Sequence, residues 1–159
     1  MPDTDFVFFY GSLITGQPGR EELPGIEKMI SLISQASVAG TLFDLGDYPG
    51  LILGDQGLVF GEVYRIHPES AQQLLDRLDI FERFDPTNRS ESLFIRQIVR
   101  LVEPNIDAWL YTYNRDTYGR SIVASGKWQT YRQSVTTTVD DISEARLTLP
   151  VPESRTKIS

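Results

Sequence analysis

Cysteine is absent from the 159-residue chain, and histidine occurs once, at His67. Without cysteine the chain has no disulfide bond, no thiolate nucleophile and no thiolate ligand for a metal ion. A single histidine excludes a zinc site built from several histidines, and a Ser-His-Asp triad would have to use His67 as its base. We therefore predict no metal site.

Basic residues are also few, because 15 Lys and Arg stand against 22 Asp and Glu, which gives a formal net charge of −7. Binding to nucleic acid depends largely on Lys and Arg that neutralise phosphates, so a nucleic-acid partner is not expected. Long hydrophobic runs are missing as well. The apolar run at 6–10 is far too short to span a bilayer, and the acidic start Met-Pro-Asp-Thr-Asp does not resemble a signal peptide. We predict a cytoplasmic protein without a membrane partner.

The remaining composition is that of one globular domain. Hydrophobic residues make up 40% of the chain and charged residues 23%, and 159 residues can bury an ordinary core. The apolar pattern weakens toward the end of the chain, where Pro150 and Pro152 interrupt it. We predict a domain at 1–135 and a C-terminal tail at 136–159, to which the sequence assigns no role.

The apolar periodicity predicts mainly strands. Strands are expected at 5–10, 37–45, 51–53, 58–66, 93–102 and 106–113, and helices at 21–34 and 68–82. Gly54-Asp55-Gln56-Gly57 is interpreted as a hairpin connection between two of these strands. Many short strands with few helices favour a closed or nearly closed barrel over a doubly wound sheet, so we predict an α+β fold.

Glu82 breaks the pattern of the helix predicted at 68–82. At about 100° per residue, five apolar side chains form one stripe on this helix, namely Ala71, Leu74, Leu75, Leu78 and Phe81. Glu82 falls in the middle of that stripe. A carboxyl group buried there would have its pKa raised toward neutrality, which suits a general acid–base catalyst. Alternatively, Glu82 lies past the last turn, where the helix frays and the stripe no longer applies.

A second candidate site is the turn Tyr10-Gly11-Ser12-Leu13, which follows the first predicted strand. A strand that runs into a glycine turn leaves consecutive backbone N–H groups unpaired, and such groups bind carboxylates and oxyanions. It is not a nucleotide-binding P-loop, because Gln17-Pro18 stand where Lys and Ser or Thr are required. The alternative is an ordinary strand-to-helix turn.

Six segments between residues 5 and 132, in order, resemble the gamma-glutamylcyclotransferase-like superfamily and in particular its AIG2-like branch. They are Phe-Phe-Tyr-Gly-Ser-Leu at 8–13, Gly-Thr-Leu-Phe-Asp-Leu-Gly-Asp-Tyr-Pro-Gly-Leu at 40–51, Val-Phe-Gly-Glu-Val-Tyr at 59–64, Leu-Asp-Ile-Phe-Glu at 78–82, Ala-Trp-Leu-Tyr-Thr-Tyr at 108–113 and Ser-Gly-Lys-Trp at 125–128. Each segment alone is a weak signal, but six in sequence are specific for the fold.

The resemblance implies a small mixed β-barrel flanked by helices, in which the loop at 10–13 and one glutamate face a common cavity. The partner would be a small-molecule gamma-glutamyl amine, converted without a cofactor to 5-oxoproline and free amine. By the same resemblance, Glu82 would be the acid–base residue. The backbone of Gly11, Ser12 and Leu13 would hold the substrate carboxylate, and Tyr10 would shape the pocket wall.

Two other functions remain open. The chain could be a non-catalytic small-molecule-binding module on the same fold, since a fold does not determine an activity. It could also be a hydrolase that uses two carboxylates, such as Glu82 with Asp44.

Other polar residues are given structural interpretations. His67 is expected to be a loop or capping residue, and Glu62 to be exposed or ion-paired. Arg96 could pair with a buried acid or with substrate. The sequence also departs from the family pattern, because Phe94 replaces a frequent tyrosine and Arg83 replaces a frequent glycine.

Overall fold

The computed structural model describes residues 4–134, so the predicted tail at 136–159 lies outside the described residues. The strands are β1 (Phe6–Phe9), β2 (Ile30–Asp44), β3 (Pro49–Ile66), β4 (Phe94–Arg100), β5 (Asp107–Tyr113) and β6 (Ser121–Ile122). Helix α1 spans Ala71–Glu82, and a second helix, α2, occupies 128–134 at the end of the described part. Short 3-10 turns lie at Pro18–Glu22, Ile26–Lys28, Pro68–Ser70 and Arg89–Glu91.

All six strands form one mixed sheet in the order β4-β5-β1-β3-β2-β6. The central strand β1 runs antiparallel to β3, with Phe9 opposite Glu62, and parallel to β5, with Val7 opposite Trp109. The sheet curls into a half-barrel accompanied by the two helices. The predicted α+β class with a small mixed barrel-like sheet is therefore confirmed.

Each face of the sheet carries its own hydrophobic core, because successive side chains of a strand point to opposite faces. In β1, Val7 and Phe9 belong to one core and Phe8 belongs to the other. The first core also receives Leu74 and Leu78, so it holds α1 against the sheet. This packing brings the end of α1 to the same face as the side chains of Val7 and Phe9.

The helix predicted at 21–34 is wrong. Pro24 and Gly25 interrupt the segment, and Gly25 adopts a φ of 84°, which does not fit a right-handed helix. Two 3-10 turns form on either side of this break, and β2 begins at Ile30.

The hairpin predicted at Gly54–Gly57 is also wrong. Residues 49–66 form one continuous strand, and the reversal between β2 and β3 lies earlier, where the Leu45 N–H donates to the Tyr48 carbonyl at 3.0 Å. The pairing jumps from Ala39 opposite Leu58 to Gly40 opposite Leu53. The four intervening residues therefore project as an exposed bulge and return to the same partner strand.

The predicted strand at 37–45 overlaps β2, which begins much earlier, at Ile30, and the remaining predicted elements agree with the structure to within a few residues. Strands lie within 5–10, 93–102 and 106–113, and Pro68 opens the 3-10 turn that leads into α1. None of the helices within residues 4–134 has both the length and the apolar character needed to cross a bilayer.

Candidate functional site

Glu82 is the last residue of α1, and a well-formed helix end holds it in place. The N–H of Arg83 donates to the Ile80 carbonyl at 3.2 Å, and the N–H of Phe84 donates to the Asp79 carbonyl at 2.8 Å. These two bonds form a Schellman motif, with Arg83 in the left-handed conformation at a φ of 57°. Glu82 is only 6% exposed. The alternative of a frayed helix end is therefore wrong.

The side chain of Glu82 faces a small cavity where β1 ends. The cavity is lined by Phe8, Phe9, Tyr10, Gly11, Leu13, Glu82 and Tyr111. Four of the five predicted site residues thus meet here, and Glu82 is the one carboxylate among the described lining residues. Ser12 does not line the cavity, and its side chain is buried next to Gly19.

Two buried tyrosines stand next to Glu82. Burial, followed by the nearby charge of Glu82, raises the pKa of Tyr10 well above its ordinary value, against a smaller opposing effect of a backbone hydrogen bond at Leu51. Burial, followed by the charges of Asp79 and Glu82, also raises the pKa of Tyr111. Both hydroxyl groups therefore stay protonated at neutral pH and act as donors. The Tyr10 hydroxyl donates to the Tyr111 carbonyl at 2.7 Å, which fixes the cavity wall.

Tyr111 is held in turn by a second buried acid, Asp79. The Tyr111 hydroxyl donates to Asp79 Oδ1 at 2.7 Å, and Arg96 donates to both Asp79 oxygens at 2.8 and 3.2 Å. The Arg96 guanidinium lies 4.4 Å from the ring centroid of Trp109 and 5.8 Å from that of Phe84. The positive charge of Arg96 thus neutralises Asp79. Of the two partners that the sequence left open for Arg96, a buried acid or the substrate, the structure shows the buried acid.

The loop at 10–13 is anchored through its carbonyl groups. The Gly11 carbonyl accepts from the Ile14 N–H at 3.2 Å, and the Leu13 carbonyl accepts from Arg20 Nε at 2.6 Å. No turn or loop hydrogen bond among the described residues is donated by the N–H of Gly11, Ser12 or Leu13. These N–H groups are therefore free of such internal partners, as an anion-binding turn requires.

The remaining candidates lie away from the cavity. Asp44 does not line it, since one oxygen accepts from the Gly46 N–H and the other from the Tyr131 hydroxyl. His67 bridges the Lys28 carbonyl and the Ser31 hydroxyl, as expected of a structural residue. The expectation for Glu62 is wrong, because Glu62 is only 8% exposed and is held by uncharged donors.

The sequence motifs included Asp79 and Tyr111, but sequence reasoning assigned neither to the site. Asp79 lies at the edge of the apolar stripe of α1, and Tyr111 lies on β5 within the Ala-Trp-Leu-Tyr-Thr-Tyr segment. A signal was available in the alternation of Trp109, Tyr111 and Tyr113, which places all three on one face. Within residues 4–134, no cluster of three or more acidic or histidine side chains is arranged to hold a metal ion.

A family model described as "Gamma-glutamyl cyclotransferase, AIG2-like" matches residues 7–130. The chain belongs to this family. The match covers both halves of the cavity, from the loop at 10–13 to Glu82 and Tyr111. The resemblance inferred from the six sequence segments is thereby confirmed.

Known relatives agree with this assignment. A protein of Niallia circulans named gamma-L-glutamyl-butirosin B gamma-glutamyl cyclotransferase is 35% identical over 130 residues, which are 79% of this chain and 76% of the relative. The solution structure of YtfP from Escherichia coli is 30% identical, with a TM-score of 0.54, and the match covers 77% of this chain and 95% of that one. A mouse AIG2-like protein is 22% identical, with a TM-score of 0.51 over 74% of this chain and 81% of its own, and supports the fold alone.

Proposed function

We propose that this protein is a gamma-glutamyl cyclotransferase, which converts a gamma-glutamyl amine to 5-oxoproline and the free amine. The observation that carries the proposal is the meeting of a buried carboxylate, Glu82, with the backbone turn at 10–13 around one cavity. The family assignment and the name of the Niallia circulans relative support the same reaction class.

Substrate binding is assigned to the turn. The N–H groups of Gly11, Ser12 and Leu13 would donate to the alpha-carboxylate of the glutamyl group, since consecutive N–H groups favour an anion. The cavity is small: the space available to the centre of a water molecule is about 10 Å³, which is room for about one water molecule. A glutamyl group therefore enters only if lining side chains move.

The chemical step is an intramolecular acyl transfer. The free alpha-amine attacks the side-chain amide carbonyl, a new C–N bond closes the five-membered lactam, and the original amide C–N bond breaks to release the amine. Holding the two reacting groups of one substrate in contact removes much of the entropic cost of the reaction. The developing oxyanion needs a nearby hydrogen-bond donor. A Tyr10 or Tyr111 hydroxyl group fills this role only if it gives up its present bond to the Tyr111 carbonyl or to Asp79.

Glu82 is assigned the proton transfer. As a carboxylate it accepts the proton that the attacking amine loses, and as a carboxylic acid it donates that proton to the leaving nitrogen. One group thus serves both steps, and water is not consumed. Asp79 is not available for this role because Arg96 and Tyr111 already occupy both of its oxygens.

Matched substrates test the proposed reaction. A panel of gamma-glutamyl amines and their N-acetylated counterparts is incubated with the protein, and 5-oxoproline, glutamate and N-acetylglutamate are quantified. We expect 5-oxoproline from at least one free-amine substrate and none from its acetylated form, because acetylation removes the nucleophile. Release of glutamate from the free form and of N-acetylglutamate from the acetylated form would instead indicate a hydrolase. Binding without any product would indicate a non-catalytic module.

A further inference from the structure

We propose that Glu62 is a positioning residue that holds the turn at 10–13 in its substrate-binding conformation. This inference rests on the proposed function, because the turn is assigned there to the substrate carboxylate. Glu62 lies on β3, directly opposite Phe9 at the end of β1. It is therefore placed beside the point where the chain leaves the sheet and enters the turn.

The contacts of Glu62 converge on Thr15, just beyond the turn. Glu62 Oε1 accepts the Thr15 N–H at 3.0 Å and also accepts the Tyr64 hydroxyl through a short hydrogen bond. The Thr15 hydroxyl lies 2.8 Å from the Tyr64 hydroxyl. Since Tyr64 gives its only hydroxyl proton to Glu62, the Thr15 hydroxyl must be the donor in that second bond. Glu62 and Tyr64 thus hold Thr15 through both its backbone and its side chain.

A second set of contacts, made by Arg20, also involves the ring of Tyr64. The Arg20 guanidinium lies 5.2 Å from the Tyr64 ring centroid, and Arg20 Nε donates to the Leu13 carbonyl at 2.6 Å. The chain is therefore fixed at Leu13 and again at Thr15, on either side of Ile14. Within the turn, the Gly11 and Ser12 carbonyls share peptide planes with the N–H groups of Ser12 and Leu13, and they accept from the N–H groups of Ile14 and Gly19 at 3.2 and 2.9 Å. Fixing the chain at Leu13 and Thr15 therefore supports the bonds that orient these N–H groups.

Glu62 fits this role in its ionised form. Burial alone would raise the pKa of Glu62, but hydrogen bonds from Tyr64, Thr15 and Gln35 outweigh it and lower that pKa. The ionised carboxylate accepts every bond it receives, including one from Gln35 Nε2 to Oε2 at 3.3 Å. The side chain also borders a wider cavity, of about 400 Å³, that Lys127 and Thr130 help to line. Substitutions at Glu62 should therefore lower the free energy of unfolding less than substitutions in a closed core.

The charge of Glu62 and its positioning role predict opposite effects of a substitution on substrate binding. A negative charge near an anion-binding turn repels a carboxylate, so its removal would strengthen substrate binding if charge were its main effect. A positioning role predicts that binding weakens when the acceptor oxygens are lost, and that it is kept when an uncharged acceptor remains. Glu62→Leu removes both oxygens, whereas Glu62→Gln keeps one and removes the charge.

The experiment measures kcat and KM for 5-oxoproline formation in both variants, at a temperature well below their unfolding midpoints. For Glu62→Leu we expect KM to rise about ten-fold or more, because roughly one charge-assisted hydrogen bond is lost. The kcat of this variant should stay within a few-fold of the wild-type value. For Glu62→Gln we expect both constants to stay within about three-fold of the wild type. The exposed Glu69→Leu variant is the control for a glutamate-to-leucine change. Unchanged KM in Glu62→Leu, or a lower KM in both variants, would overturn the proposal.

Hydrogen exchange of single backbone amides separates this inference from the proposed function. In Glu62→Leu the Thr15 amide should exchange at least ten-fold faster than in the wild type, while the Leu110 amide in β5 should not change. If the wild type forms no 5-oxoproline but Thr15 exchange responds as expected, the proposed function fails and the anchoring of the turn stands. If Thr15 exchange does not change, the anchoring role is wrong whatever the activity.

Discussion

The buried ion pair between Asp79 and Arg96 allows a stability prediction with a matched control in the same protein. The two side chains are 10% and 15% exposed, and their closest atoms are 2.8 Å apart. Replacement of Asp79 by alanine leaves the Arg96 guanidinium without its carboxylate and the Tyr111 hydroxyl without its acceptor. Tyr111 lines the cavity, so this perturbation also tests the support of the candidate site.

The size of the effect follows from burial. Three hydrogen bonds to Asp79 are lost, and each bond to a charged group contributes about 1.5–3 kcal/mol. These contributions are not additive, and the loss of one partner from a buried pair costs about 3–5 kcal/mol. Arg96 keeps its contacts with Phe84 and Trp109, which favours the lower half of that range. At roughly 2–4 °C per kcal/mol, a loss of about 3–4 kcal/mol should lower the unfolding midpoint by about 6–16 °C.

Thermal and urea denaturation measure this effect against a control. Arg100 and Asp107 form the same kind of pair at 2.6 Å, but their side chains are 61% and 48% exposed. Asp107→Ala should therefore change the free energy of unfolding far less than Asp79→Ala. The apolar double variant Asp79→Leu with Arg96→Met should recover most of the loss, because neither charge remains unpaired. Equal destabilisation by the two alanine variants would refute the reasoning from burial.

Three further predictions concern the backbone and pH. Arg83→Gly should be about 1 kcal/mol more stable than Arg83→Ala in urea denaturation, because only glycine adopts the left-handed conformation without strain; equal stability would contradict this. Gly61→Ala should lower the free energy of unfolding by about 2–3 kcal/mol or more, because the new Cβ would lie 2.1 Å from the Phe9 carbonyl oxygen. Gly54→Ala should leave that free energy nearly unchanged, because its Cβ meets no atom within 4 Å. The lowered pKa of Glu62 stabilises the folded state above the ordinary value of 4.5, and this contribution is lost as pH falls through the folded pKa. The stability difference between wild type and Glu62→Gln should therefore shrink as the pH falls below about 4.5, and a constant difference would argue against it.

The features that the sequence predicted well are those set by local patterns. The position of Glu82 followed from the 3.6-residue period of α1, because one helical face must pack on the sheet. The turn at 10–13 followed from an apolar strand that runs into Gly11. Both signals lie within a few residues of the feature that they predict.

The network behind Glu82 could not be predicted in the same way, because it joins three separate elements. Asp79 on α1 contacts Arg96 on β4 and Tyr111 on β5, at separations of 17 and 32 residues. On the helix Asp79 lies about 100° from Leu78, at the edge of the apolar stripe, where a polar residue is normally solvated. It is buried only because the β4–β5 hairpin packs beside the helix end.

The misassigned segments have similar causes. Glu62 is a charged residue between Gly61 and Val63 in β3, and the partner that explains its burial, Thr15, comes 47 residues earlier. The segment at 21–34 contains apolar residues at helical spacing, but Pro24 and Gly25 divide it. The bulge at 54–57 has the composition of a hairpin turn, and only its pairing with β2 shows that the strand continues.

The most direct test of the central claim is the rate of 5-oxoproline formation by Glu82→Gln, compared with the wild type and with the exposed control Glu69→Gln. The variant keeps the shape of the side chain and removes its ability to carry a proton. We expect kcat to fall by at least about 100-fold, with KM within a few-fold and an unchanged unfolding midpoint. The control should retain full activity. Formation of 5-oxoproline by Glu82→Gln at the wild-type rate would show that Glu82 does not carry the proton.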